Sequence, residues 1–288
     1  MNDIVYGVID IGSNSVRLMI ADGKGTRYKK TKITKLAEGF GEDSMLKQNA
    51  IERTVDAIRF FYEEALLVGA NEIYAFATAA VRRAANKTEF TDKVYKACGI
   101  KVDVISGEKE AAYGASGALD GDGGLVDIGG ASSEITVVKS GSPVYTYSLD
   151  LGTVKLKNAC GQDKDKLTAL IDEKIKLYGD VPKSDFTAIG GTATTVCALL
   201  QELEPYDPKK VEGYIIKKKE LSELSDKLFT LDLEEKERLK GLQKERADVI
   251  AGGTLLLLKI MEKLSVYEIK VSEKDNLEGY LKAKTEKK

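Results

Sequence analysis

The chain contains no histidine and no tryptophan. Without an imidazole, Ser-His-Asp and Cys-His catalysis, His-ligated zinc and phosphohistidine transfer are excluded. Acid–base chemistry near neutral pH then falls to Asp, Glu, Lys, Cys or Tyr. Cysteine is scarce: Cys98, Cys160 and Cys197 stand far apart, form no CxxC pair and read as buried, reduced thiols of a cytosolic protein. Long apolar runs are missing too. The longest, Val249–Leu258, is about half a membrane span and holds Gly252 and Gly253, so no membrane-spanning helix is expected. Met1–Tyr6 has neither the basic stretch nor the small-residue cleavage site of a signal peptide, which points to the cytoplasm. Nor is there an excess of charge of one sign. Lys plus Arg is 44 against 46 for Asp plus Glu, a formal net charge of −2, a poor match for a dedicated nucleic-acid binder.

What is present is a soluble, globular balance: 288 residues, 43% hydrophobic and 31% charged, enough for two domains. Strand-like runs alternate with amphipathic helical ones. Val5–Ile20 reads strand, turn, strand, and Lys29–Leu36 a further strand. Ser44–Val68 carries a helical stripe of Ile51, Val55, Ile58, Phe61 and Ala65. The alternation continues to a long apolar helix at Arg246–Leu264 and a last strand at Glu268–Val271. This is an α/β chain. The DGDGG cluster at Asp120–Gly124 marks a boundary, giving domains of 1–122 and 123–288, with the last helix free to pack back on the first domain.

The two halves repeat one another. VIDIGSNSVRLMI, Val8–Ile20, lies over LVDIGGASSEITV, Leu125–Val137, at a constant offset of 117 residues. Asp10 falls on Asp127, Gly12 on Gly129, Ser15 on Ser132 and Arg17 on Glu134. Each half thus opens with a hairpin whose acid enters a Gly-rich turn, and the repeat implies two similar domains offering two similar loops to one ligand. Such turns converge backbone N–H groups on a phosphate oxygen, Ser and Asn add donors, and the preceding Asp suits Mg²⁺. A third Gly-rich turn, Gly190-Gly191-Thr192, leads from a strand into a helix, again an anion-binding arrangement.

The order of these loops resembles the actin, sugar kinase and heat-shock ATPase superfamily. Within it the chain resembles the exopolyphosphatase / guanosine pentaphosphate phosphohydrolase (Ppx/GppA) family, in its short two-domain form. The resemblance rests on DIGSNSVRLMI (Asp10–Ile20), KLAEGF…L (Lys35–Leu46), ATAAVRRAAN (Ala77–Asn86), VISGEKEA (Val104–Ala111), VDIGGASSEI (Val126–Ile135), AIGGTATT (Ala188–Thr195) and ERADVIAGG (Glu245–Gly253). It implies two actin-like, ribonuclease H-like domains with an interdomain cleft. By position it places the catalytic base on Glu110 and a second catalytic carboxylate on Glu134. Phosphate ligands fall on Ser13, Asn14, Ser15, Arg82, Gly129, Gly130, Ser132, Gly190, Gly191 and Thr192, and Asp10 and Asp127 on a Mg²⁺ ion. The implied activity is removal of terminal orthophosphate from inorganic polyphosphate, with guanosine pentaphosphate as second substrate, in a homodimer without nucleic-acid or membrane partners.

Several readings stay open in the sequence. Arg17 is either a phosphate ligand or half of an ion pair, and Arg82 competes with Arg83 for the functional role. Glu110 stands near a helix start, where an acid also serves the helix dipole. Glu134 on a strand could equally face solvent. Ala131 replaces the third Gly of DIGGGS; if that position needs φ > 0, Ala costs roughly 1 kcal/mol there. Lys109 precedes Glu110 where the family carries a second Glu. The lysines at 29, 30, 32 and 35, and at 217–219, either guide a polyanion or form solvated faces. An ATP-dependent kinase or ATPase of the same superfamily, and a weakly active polyphosphate or alarmone sensor, are the alternative functions.

Overall fold

The structure, a computed structural model, describes residues 4–40 and 44–286. The first three residues of Met1–Tyr6, part of the Lys35–Leu46 segment and the last two residues of the Lys284–Lys288 end lie outside them. The chain divides into two compact units, one running up to Glu110 and resuming at Ala283, the other comprising Ala111–Lys282. The division falls inside a helix rather than at the DGDGG turn.

The first unit holds β1 (Tyr6–Ile11), β2 (Ser15–Asp22), β3 (Gly25–Ile33), α1 (Gln48–Leu67), β4 (Glu72–Ala77), α2 (Ala79–Arg83), α3 (Lys87–Cys98), β5 (Val102–Val104) and the start of α4 (Gly107–Ala118). Its sheet runs β3-β2-β1-β4-β5, with β2 and β3 antiparallel and β4 and β5 parallel. The central β1 is apolar and buried along nearly its whole length, as a strand covered on both faces must be. The predicted stripe of α1 is the side that is buried, with Ile51, Ile58, Phe61 and Ala65 inside. β3 starts at Gly25, four residues before the predicted lysine-rich strand, and its lysines occupy the sheet edge, where charge discourages further pairing.

The second unit holds β6 (Gly123–Ile128), β7 (Ser133–Lys139), β8 (Ser142–Leu149), α5 (Thr153–Cys160), α6 (Lys164–Lys174), β9 (Phe186–Ile189), α7 (Gly190–Leu200), α8 (Pro208–Val211), β10 (Ile215–Lys217), α9 (Lys218–Thr230), α10 (Leu233–Glu237), α11 (Ile250–Leu264), β11 (Glu268–Val271) and α12 (Asn276–Thr285), whose last turn belongs to the first unit. Its sheet runs β10-β11-β9-β6-β7-β8. Read from β8 inward this is the order of the first sheet with one extra edge strand, β10, so both units carry the ribonuclease H-like arrangement. α11 is core as expected: Leu255, Leu256, Leu257, Ile260 and Met261 are buried with Val126, Ile135 and Val196. Cys197 is buried, whereas Cys98 and Cys160 are only partly so; all three are free thiols. Among the described residues no helix is long and apolar enough to cross a membrane.

Candidate active site

The repeat read in the sequence is a repeat of register. In the first hairpin Asp10 pairs across with Arg17 and Ile11 with Val16; in the second Asp127 pairs across with Glu134 and Ile128 with Ser133. Both turns close with the same bond, from the Gly12 N–H to the Ser15 carbonyl at 2.9 Å and from the Gly129 N–H to the Ser132 carbonyl at 3.0 Å. Both are also pinned by their carbonyls. Ala37 N–H donates to the Ser13 carbonyl at 2.8 Å, and the N–H groups of Thr34 and Lys35 to that of Asn14, each at 2.9 Å. In the second unit the start of α5 does this work: Thr153 N–H reaches the Gly129 carbonyl at 3.0 Å and Val154 N–H that of Gly130 at 2.8 Å. Among the described residues, no bond uses the N–H of Ser13, Asn14, Gly130 or Ala131. With carbonyls tied down and N–H groups unspent, each loop is a concave donor array suited to an anion.

In the first unit Asn14 is 7% exposed, yet neither atom of its side-chain amide has a hydrogen-bond partner. A buried amide left so is expensive unless a ligand completes it. Asp10 is buried and ion-paired to Arg17, whose Nε donates to its Oδ2 at 2.9 Å. The Arg17 charge thus stands against the acid that enters the loop.

Glu110 is also buried, 7% exposed, while Glu108 on the same helix is exposed. The helix-dipole reading suits Glu108; Glu110 is turned inward. Arg82 Nη1 donates to Glu110 Oε2 at 2.8 Å and to the Ile105 carbonyl at 3.0 Å. Burial pushes the Glu110 carboxyl above its ordinary pKa, with the Asp10 charge adding to the push, against the hydrogen bond and charge of Arg82 and a bond from Thr78.

In the second unit Glu134 is 3% exposed, so it does not face solvent, and it accepts a 2.6 Å bond from Ser148 Oγ. Ser148 was not singled out in the sequence, although it stands directly opposite Glu134 across β7 and β8. Asp127 Oδ2 accepts from Asn276 Nδ2 at 3.1 Å. The third loop has Gly190 at φ +80°, where a Cβ would stand 2.5 Å from Asp127 Oδ1. Only glycine serves both the backbone conformation and the carboxylate. A Cβ on Gly191 would lie 2.4 Å from the Arg246 guanidinium, so this arginine is seated against the α7 N-terminus. Thr192 spends its hydroxyl on the Ile128 carbonyl at 3.0 Å, fastening α7 to β6. Arg246, inside the ERADVIAGG segment, was missed; an arginine in a conspicuous motif was the signal that could have found it. Ala131 is buried and does not take a positive φ, so the strain attached to replacing Gly there does not arise.

The individual groups can bind phosphate, carry a proton and hold a cation. For Mg²⁺ the hard carboxylate oxygens beside the Gly-rich loops are the right donors. Asp127 Oδ2 accepts a bond from the neutral Asn276 amide. Asp10 is already matched by Arg17. No cluster of three or more His, Cys, Asp or Glu side chains occurs among the described residues.

Residues 8–288 match the Ppx/GppA phosphatase family. Over 96% of its length the chain is 33% identical to a bifunctional 3-dehydroquinate synthase/phosphatase of Fusobacterium nucleatum, of which it spans 46%. It is 30% identical to exopolyphosphatase 2 of Mycobacterium tuberculosis, over 94% of this chain and 95% of that protein. The crystal structure of the Aquifex aeolicus Ppx/GppA family member is similar at 28% identity and a TM-score of 0.81, covering 99% of this chain and 98% of the other. On a match that takes in both loops, Glu110, Glu134 and the third turn, the chain belongs to the Ppx/GppA phosphatase family.

Proposed function

We infer that this protein is an exopolyphosphatase: it hydrolyses the terminal phosphoanhydride of inorganic polyphosphate and releases orthophosphate, with guanosine pentaphosphate as a second substrate. The observation that carries this is the pair of register-matched loops in which the N–H groups of Ser13, Asn14, Gly130 and Ala131 are unspent, together with the buried Asn14 amide. Phosphoryl transfer asks for charge stabilisation around the phosphoryl oxygens and an oriented nucleophile. The loop N–H groups and Asn14 bind phosphate oxygens. Glu110, whose pKa is raised and which Arg82 holds in place, accepts the proton of the attacking water. Glu134, fixed by Ser148, is the second carboxylate. Asp10 and Asp127 would hold Mg²⁺, which would neutralise phosphate charge. A homodimer in the cytoplasm completes the reading by analogy with the family, and light scattering of the purified chain tests the dimer.

The deciding assay compares orthophosphate release from long-chain polyphosphate, guanosine pentaphosphate and ATP, with Mg²⁺ and with excess chelator. Release from polyphosphate, dependent on Mg²⁺ and well above that from ATP, is expected. Preferential turnover of ATP would replace this reading with the kinase or ATPase alternative, and binding without release would replace it with the sensor.

A further inference from the structure

The geometry points to Asn276 as a positioning residue that holds the Asp127 carboxylate in place for a cation and phosphate, an inference that rests on the function proposed above. Asn276 is 4% exposed and belongs to no recognisable motif. Its Nδ2 donates to Asp127 Oδ2 at 3.1 Å, across 149 residues of sequence. Its Oδ1 is buried without a partner. That assignment of the amide is the only one compatible with an ionised Asp127, because the reverse would set one oxygen against another.

The surroundings hold the amide where it is. Asn276 opens α12, directly after Asp275, whose Oδ1 accepts the Leu277 N–H at 2.9 Å while its own N–H donates to Glu278 Oε2 at 2.9 Å. This reciprocal cap fixes the helix start. The backbone of α4 then closes on it: a Cβ at Gly117 would come within 2.0 Å of the Asp275 carbonyl oxygen, and one at Gly279 within 1.8 Å of the Tyr113 carbonyl oxygen. A Cβ at Gly114 would lie 2.8 Å from Asn276 Oδ1. Neither a larger side chain on α4 nor a shift of α12 is compatible with that packing. The carboxylate is thus confined on both sides, with Oδ2 on the Asn276 amide and Oδ1 over Gly190. Outer groups of this kind orient the ligand-bearing group, and their loss typically weakens metal binding about 10- to 100-fold.

The test is a double-mutant cycle on the full chain, read by electron paramagnetic resonance titration of Mn²⁺ in the presence of methylenediphosphonate, a phosphoanhydride mimic that is not hydrolysed. Asn276→Leu should weaken Mn²⁺ binding about tenfold and should change nothing further in an Asp127→Asn background. Asn276→Ser, which removes the amide without adding apolar bulk, is read in parallel and should show the same pattern. Equal losses in both backgrounds, or unchanged Mn²⁺ affinity in both Asn276 variants while Asp127→Asn binds weakly, would overturn the positioning role and leave the proposed function standing. Wild-type Mn²⁺ binding by Asp127→Asn would instead remove Asp127 as the cation's ligand, and this inference with it.

Discussion

Glu110 and Arg82 form a pair whose two members oppose each other's titration. Burial raises the Glu110 pKa, and the Arg82 bond and charge hold it back. A general base must be deprotonated, so kcat/KM rises with pH through the Glu110 titration. Arg82→Gln removes two lowering influences; the Glu110 pKa then climbs further, and the acid limb of the pH profile should move to higher pH. A limb that stays put or moves down would show that Glu110 is not the titrating base. Glu110→Gln itself should cut kcat by about 10²–10⁴, while Glu108→Gln, at an exposed position on the same helix, should leave kcat near wild type. Glu110 was legible because it sits in a sequence segment with fixed neighbours. The bond it accepts from Arg82 was not, since the two residues stand 28 apart. Asn276 was invisible: it acts across 149 residues, through a single amide, with no spacing to betray it.

At the scale of elements, the strands, the large helices and the duplicated hairpins were readable from apolar periodicity and Gly-rich turns. α5, α8, β10 and α12 were not anticipated. They are short, and α12 carries Gly279 where a helix former would be expected. That glycine is explained by backbone contact with α4, which sequence periodicity does not register. Gly279→Ala should therefore destabilise the protein by about 1–3 kcal/mol through overpacking, a fall in Tm of roughly 2–12 °C for a chain of this size; an unchanged Tm would show that α4 and α12 yield freely. The second loop gives the opposite case. Ala131 sits at an ordinary backbone angle, so Ala131→Gly only adds freedom to the unfolded chain. It should lower stability by about 0.4–1 kcal/mol and should not raise kcat. A clear gain in kcat would restore the idea that Ala131 strains the loop.

For the whole molecule, the near-zero net charge leaves polyanion attraction to local patches, and the lysine groups are partly engaged with their own surroundings. Lys30 pairs with Glu64 at 2.8 Å, Lys32 lies 3.3 Å above the Phe60 ring, and Lys218 stands 5.1 Å from the centre of the Tyr267 ring. These three lysines are held against side chains of their own surface. The slope of log KM against log salt should accordingly differ little between long and short polyphosphate, by less than about one. A long-chain slope steeper by several units would show that the lysines do gather the polymer.

Lys284 on the last turn of α12 pairs with Asp103 at 2.6 Å and stands 5.8 Å from the centre of the Tyr74 ring, so the first unit is completed by residues that come after the second. On the ribosome, Asp103 emerges 181 residues ahead of its partner. At about 5–20 residues per second, that is a wait of some ten to forty seconds. During translation β5 therefore stands with its Lys284 partner still unmade.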